Sequence, residues 1–351
     1  MTLLPAEVAE LIIDRCDHLG ALSCCSLVCK AWHTRARFCL FSGPVKVVGT
    51  TKIEAFVATL QNPLCSLHPY VHSLSIYDWS NSRPLLNYVI PALVGLSNLT
   101  SLDIDIEKAL LADEANALFC THFRSIRHLT LRIIFATCAD AVNLVCSFPL
   151  LETLRLHSRW IGSSPPPIAS LPVNLHTLDL GCFLYDVLNW LLSCPPSAAI
   201  SSVHLRDVSV RDLETVFQYV RFVATTLKSL IICFLGPSEN ITDLNLGIID
   251  LPELRSLEIS GRYSRVHMIV RLLSHIRAPL EHISFYSFLS INPSSVAWAE
   301  LEERLSGPAY PRLRKVTIST RPHLQRAIQA KIPRLHQLGV LEVVFPEKLD
   351  Y

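Results

Sequence analysis

A six-position alternation of apolar and polar residues, L-x-x-L-x-L, returns through most of the chain. It runs as Val71–Ile76, Leu99–Ile104, Ile126–Leu131, Leu151–Leu156, Leu175–Leu180 and Ile200–Leu205. It continues as Leu227–Ile232, Leu254–Ile259, Leu280–Phe285, Leu313–Ile318 and Leu338–Val343. The eleven copies start 24 to 28 residues apart, except for one gap of 33 before Leu313. A period of two is strand geometry, so the fourth and sixth positions enter a core while the third, fifth and seventh face away from it. Between copies lie apolar stretches that predict helices over 85–96, 107–123, 139–146, 184–194, 210–226, 265–276, 293–305 and 323–332. After Leu151 the run Ser163-Ser164-Pro165-Pro166-Pro167 predicts an extended segment instead. Val45–Val48, between Pro44 and Gly49, predicts a capping strand one repeat ahead of Val71, followed by a short helix to Gln61.

One strand and one helical return per repeat resembles the leucine-rich repeat, with parallel strands on one side and helices on the other. The resemblance implies an α/β leucine-rich-repeat-like solenoid over 46–346, with eleven repeats from residue 71 and a short tail at 347–351. The chain departs from that family at the ninth position, where residues such as Trp79, Ile134, Arg159 and Phe183 replace the usual asparagine or cysteine.

Ahead of the repeats, residues 1–45 carry more apolar side chains than so short a unit can hide. Pro5 suits a first helical turn and Glu7 sits beside the positive end of the helix dipole, so a helix is expected to start at Pro5. Val8, Leu11, Ile12 and Ile13 form its apolar face, and a second block from Leu22 to Val28 runs into Lys30-Ala31-Trp32. The leftover apolar surface points to a partner. Leu-Pro-x-Glu, Ile-Ile, Cys-Ser-Leu-Val-Cys-Lys-x-Trp, Ala-Arg and Leu-Phe together closely resemble the F-box, a small all-α module. That resemblance implies that Leu4, Pro5, Val8, Ile12, Val28 and Trp32 touch a Skp adaptor, and through it a cullin-RING ligase. The chain would then be the substrate-recognition subunit of a Skp-cullin-F-box ubiquitin ligase, with a protein substrate on the repeats. The alternative is a scaffold that binds the adaptor without promoting ubiquitination.

Composition narrows the chemistry. Half the residues are hydrophobic and 17% are charged, which suits a large core. The apolar windows are broken too early for a membrane span, and the N-terminus reads as no signal peptide, so a cytoplasmic or nuclear protein is expected. The 12 cysteines include no C-x-x-C pair and are expected to be reduced, small core residues. Cys25, Cys29 and His33 recur every four residues, but three ligands on one helix cannot close a tetrahedron. A net charge of +1 suggests neither nucleic acid nor membrane. No phosphate-binding glycine loop or nucleophile motif is present, so no cofactor, metal or catalysis is expected. The one constellation lies on the outward strand positions. There His128, Arg132, Arg155, His157, His204 and Arg206 gather positive charge, opposed by Asp179, which reads either as a solvated polar face or as a site that accepts an acidic or phosphorylated segment of a substrate. The three histidines occupy different strand positions and are not expected to converge.

Overall fold

A computed structural model describes residues 5–80, 85–162, 164, 167, 169–195, 199–235, 247–261, 266–286 and 297–345. Leu4, most of the Ser163–Pro167 run and the tail 347–351 lie outside these residues. The chain forms two compact units, one of residues 1–153 with 158–167, the other of residues 154–157 with 168–351.

The first unit opens with α1 (Ala6–Asp14), α2 (Leu19–Cys25) and α3 (Lys30–Ser42). The helix starts at Ala6, one place after the expected Pro5, which caps it with a carbonyl that accepts from the Val8 and Ala9 amides at 3.1 Å. The second apolar block is not one helix. Residues 26–29 form a turn that separates α2 from α3, so Cys25, Cys29 and His33 never share a helical face, and His33 Nδ1 instead meets the Ser26 carbonyl at 2.8 Å. Ile13, Leu22 and Ala36 make the core of these helices, with Trp32, Cys16, Cys25, Cys39 and Leu40 against it.

There follow β1 (Val45–Val48), α4 (Thr50–Gln61), β2 (Ser73–Tyr77), α5 (Leu85–Leu93), β3 (Ser101–Leu110), α6 (Asp113–His122), β4 (His128–Thr137) and α7 (Cys138–Cys146). Strands β1 to β4 are parallel, in sequence order. The β1 register, Val45 opposite Leu74 and Val47 opposite Ile76, makes it the expected capping strand. The expected helix from residue 107 is corrected: β3 runs on to Leu110, which lies opposite Ile134, and α6 starts only at Asp113. The apolar run Ala109-Leu110-Leu111-Ala112 ahead of α6 has no clear period of its own, which is why the strand extension reads as helix. β4 lengthens likewise and takes β6 (Arg159–Gly162) beside it, after β5 (Thr153–Leu156).

The second unit carries β5, β7 (Thr177–Leu180), α8 (Leu184–Ser193), β8 (Ser202–Val208), α9 (Leu213–Phe222), β9 (Ser229–Phe234), β10 (Ile249–Asp250), β11 (Ser256–Gly261), α10 (Val266–His275) and β12 (Ile276–Arg277). It closes with β13 (His282–Tyr286), α11 (Ala297–Ser306), β14 (Lys315–Ser319), α12 (Gln325–Lys331), α13 (Pro333–Gln337) and β15 (Leu341–Val344). Its sheet runs β5-β7-β8-β9-β11-β13-β14-β15, and β10 pairs β12 apart from it. Every copy of the alternating theme is therefore a strand of a parallel sheet with helices on its buried side, a leucine-rich-repeat-like α/β architecture. Leu178, Val203, Leu230, Leu257, Ile283, Val316 and Leu341 stand opposite one another in turn, so equal repeat positions become neighbours.

The fourth and sixth positions are buried in ten of the copies, and only the last, Leu341 and Val343, is left half-buried. Among the described residues no asparagine ladder joins the repeats. A backbone joint does so instead: the carbonyl of the second position accepts the amides of both the second and third positions of the next repeat. His72 serves Thr100 and Ser101, Thr100 serves Arg127 and His128, and Arg127 serves Glu152 and Thr153. In the second unit His176, Ser201, Lys228, Arg255 and Glu281 repeat the arrangement, at 2.8 to 3.1 Å. Among the described residues no helix is long and apolar enough to cross a membrane.

Candidate functional site

On α1 the inward positions are Ala9 and Ile13, one helical turn apart, which turns Val8, Leu11 and Ile12 outward. Val8 and Ile12 are 40% and 45% exposed and Val28, in the turn after α2, 61%. Pro5 is exposed as well, whereas Trp32 is half-buried against the helical core. Leu11, Leu19 and Leu27 are equally open and were not among the expected contact residues. Arg35 fixes α3 to the end of α1 by two bonds of 2.6 Å to the Asp14 carboxylate, which holds that carboxyl below its usual range. The same guanidinium offsets an acidic side chain set at the negative end of a helix dipole.

The outward strand positions are more crowded than period two implies. In the first unit, Tyr77 donates its hydroxyl to Asp103 at 2.5 Å, and burial together with that bond pushes the phenol up. Arg132 Nη1 bonds Asp105 Oδ2 across β3 and β4 at 3.1 Å, and His128 lies exposed at the start of β4.

In the second unit Arg155, His157, His204 and Arg206 meet around one carboxylate, Asp179, which is only 5% exposed. Arg206 grips it with Nε and Nη2 at 2.9 and 3.1 Å, and His157 Nε2 lies at 2.9 Å. His204 Nδ1 is 3.4 Å away and Arg155 Nε 3.9 Å. The expectation that the histidines stay apart is therefore corrected for His157 and His204, which reach the same carboxylate from β5 and β8, on either side of β7. Gly181 permits this, since a Cβ there would stand 3.2 Å from the His157 ring and 3.4 Å from Arg206 Cβ. Burial would raise Asp179, but bonds from His157, His204 and Arg206 hold it far below the usual carboxylate range. Burial would lower His204, but its bonds to Asp179 and Cys233 lift it to about 9. At neutral pH Arg155, His204 and Arg206 thus set three positive charges against one negative, and the cluster keeps a cationic surplus.

Asp179 is the residue that sequence reasoning underrated. Its signal was present, because Asp179 and His204 are both fifth positions of consecutive repeats and so must be neighbours. The cysteines also differ from expectation: only Cys138 and Cys194 are buried, while Cys24 and Cys29 are exposed and the other eight half-buried.

No protein-family model matches the chain, and no curated protein matches it. Among solved structures it is similar to the leucine-rich repeat-containing protein LegL7 from Legionella pneumophila, at 13% identity and a TM-score of 0.44, over 84% of this chain and 98% of that one. It is also similar to TLR13 in the TLR13-ssRNA13 complex, at 16% identity and a TM-score of 0.35, over 74% of this chain and 44% of that one. By its own strand register the chain is of the leucine-rich-repeat-like α/β class, a repeat scaffold of the kind that offers a strand face for binding.

Proposed function

We propose that residues 1–45 are an F-box that docks on a Skp adaptor, and that residues 46–346 recruit a protein substrate to a cullin-RING ubiquitin ligase in the cytoplasm or nucleus. The observation that carries this reading is the outward apolar set on the N-terminal helices: Val8, Leu11, Ile12, Leu19, Leu27 and Val28 lie open while Ile13, Leu22 and Ala36 suffice for the core. A surface this apolar beside a self-sufficient small core fits a docking face. Substrate binding is assigned to the cationic cluster of the second unit. Arg155 and Arg206, half-exposed, offer donors to an acidic or phosphorylated segment, while His157 and His204 brace Asp179 beneath them. His128 and Arg132 form a separate basic pair on the first unit, the latter tempered by Asp105.

The test is adaptor binding by the full chain and by Val8→Ser with Ile12→Ser and Val28→Ser. These side chains lie outside the core, so helix content should stay intact while affinity falls about twentyfold or more. Unchanged affinity in the folded variant would overturn the assignment. Cullin co-purification without ubiquitin transfer would leave the scaffold reading in its place.

A further inference from the structure

The strand face of the second unit holds a chain of three groups that runs from the Asp179 cluster to a cysteine which substrate binding does not use. Asp179, His204 and Cys233 stand on the neighbouring strands β7, β8 and β9. Asp179 Oδ1 lies 3.4 Å from His204 Nδ1, and Nε2 of the same ring lies 3.2 Å from Cys233 Sγ. From β11, Ser260 donates its hydroxyl to the same sulfur at 2.8 Å. The imidazole is thus held at both nitrogens, and with Nδ1–H on the carboxylate, Nε2–H points at sulfur. Two groups thus converge on one sulfur and make it a hydrogen-bond acceptor beside a charged imidazole. Cys233 is half-buried, within reach of a small molecule from the open strand face. Cys194 supplies the contrast: buried, its thiol donates to the Ala169 carbonyl at 3.1 Å, and burial pushes it up, as in an inert structural cysteine.

We propose that Cys233 is a modification site whose sulfur reacts with hydroperoxides. The sulfur lone pair attacks the distal oxygen, the S–O bond forms as the O–O bond breaks, the departing alkoxide or hydroxide takes the proton from His204 Nε2, and the thiol proton passes to that nitrogen in its place. The thiol is oxidised to a sulfenic acid and the hydroperoxide reduced to an alcohol or water. Asp179 is a positioning residue that keeps the ring oriented and its positive charge compensated. The oxidised sulfur stays at the edge of the Asp179 cluster and loses its role as a plain acceptor for His204, which couples peroxide to the cationic face. The inference is independent of what the N-terminal helices bind.

The experiment treats the full chain with substoichiometric hydrogen peroxide, traps sulfenic acid with a 1,3-dione, and maps adducts by mass spectrometry. Cys24 and Cys29 are the exposed cysteines, so reactivity that followed access alone would label them first. The proposal expects Cys233 to be labelled first. It also expects folded His204→Gln to lower Cys233 labelling about tenfold or more with Cys24 and Cys29 unchanged, the loss of a positioned proton donor. Should His204→Gln fail to fold, Ser260→Ala takes its place and is expected to slow the same site. Labelling of Cys24 and Cys29 ahead of Cys233, or a Cys233 rate unmoved by these substitutions, would overturn the proposal.

Discussion

Asp179 is a carboxylate buried on the side of a sheet that simple alternation gives to solvent. Its burial is tolerable because Arg206, His157 and His204 satisfy both oxygens. The consequence is a dependence of stability on pH from two directions. His204, raised to about 9 when folded, contributes fully below an unfolded value of about 6.5 and loses that contribution as pH climbs through 9. Asp179, held low, contributes above an unfolded value of about 4 and loses it only in strong acid. Urea titrations should show unfolding free energy falling by up to about 3 kcal/mol between pH 6 and 9.5, with the fall much reduced in His204→Gln. A second residue-scale expectation concerns Tyr310, buried behind the longest gap between repeats, with a phenol that burial pushes up to about 12. Its hydroxyl donates toward the Leu273 and Ile276 carbonyls at 2.9 and 3.2 Å, so Tyr310→Phe should cost about 1–3 kcal/mol by the same titration. The string places Asp179 and His204 at equal repeat positions, but it does not show that His157 and Arg206 bend toward the same carboxylate or that Tyr310 reaches two carbonyls.

The elements were far more legible. Period-two leucines located every repeat strand, because a half-buried strand has no other way to satisfy both its faces. The misreadings share one cause, an apolar run whose period is ambiguous. Residues 107–110 extend β3 rather than begin α6, and residues 26–29 interrupt what looked like continuous helix. At this scale the joints and the close approaches can be tested. The Lys228 side chain is exposed, but its amide donates to the Ser201 carbonyl at 2.8 Å. Lys228→Pro should therefore destabilise by about 1–3 kcal/mol while Lys228→Ala is nearly neutral, a contrast that thermal melts can read. Gly181→Val should push His157 or Arg206 off Asp179 and cost about 1–3 kcal/mol through overpacking.

Over the whole molecule, the exposed apolar side chains of the N-terminal helices could be anticipated because apolar excess in residues 1–45 is a property of the string itself. The charge cluster was legible in part: the outward strand positions collect the basic residues around Asp179, but a linear string does not show that ion pairs form between strands about one repeat apart. The repeats are also unequal. Among the described residues β15 pairs on one edge only, and Leu341 and Val343 are half-buried and Leu338 64% exposed. Hydrogen exchange should accordingly find the amides of β15 opening faster than those of β9 or β11, whose side chains are shielded on both edges. Equal protection of all three strands would contradict that ordering.

The backbone joint between repeats carries no side-chain spelling, since any residue other than proline can lend an amide to it. What is inherited is therefore a geometry rather than a motif. The gap of 33 residues before Leu313 shows the freedom this gives: the Glu281 carbonyl still takes the Arg314 and Lys315 amides, at 2.9 and 3.1 Å, although the path between them is longer. Descendants of such a chain can lengthen a return, exchange the residues along it or duplicate a whole unit, and keep every fastening, so likeness between relatives erodes in letters long before it erodes in form.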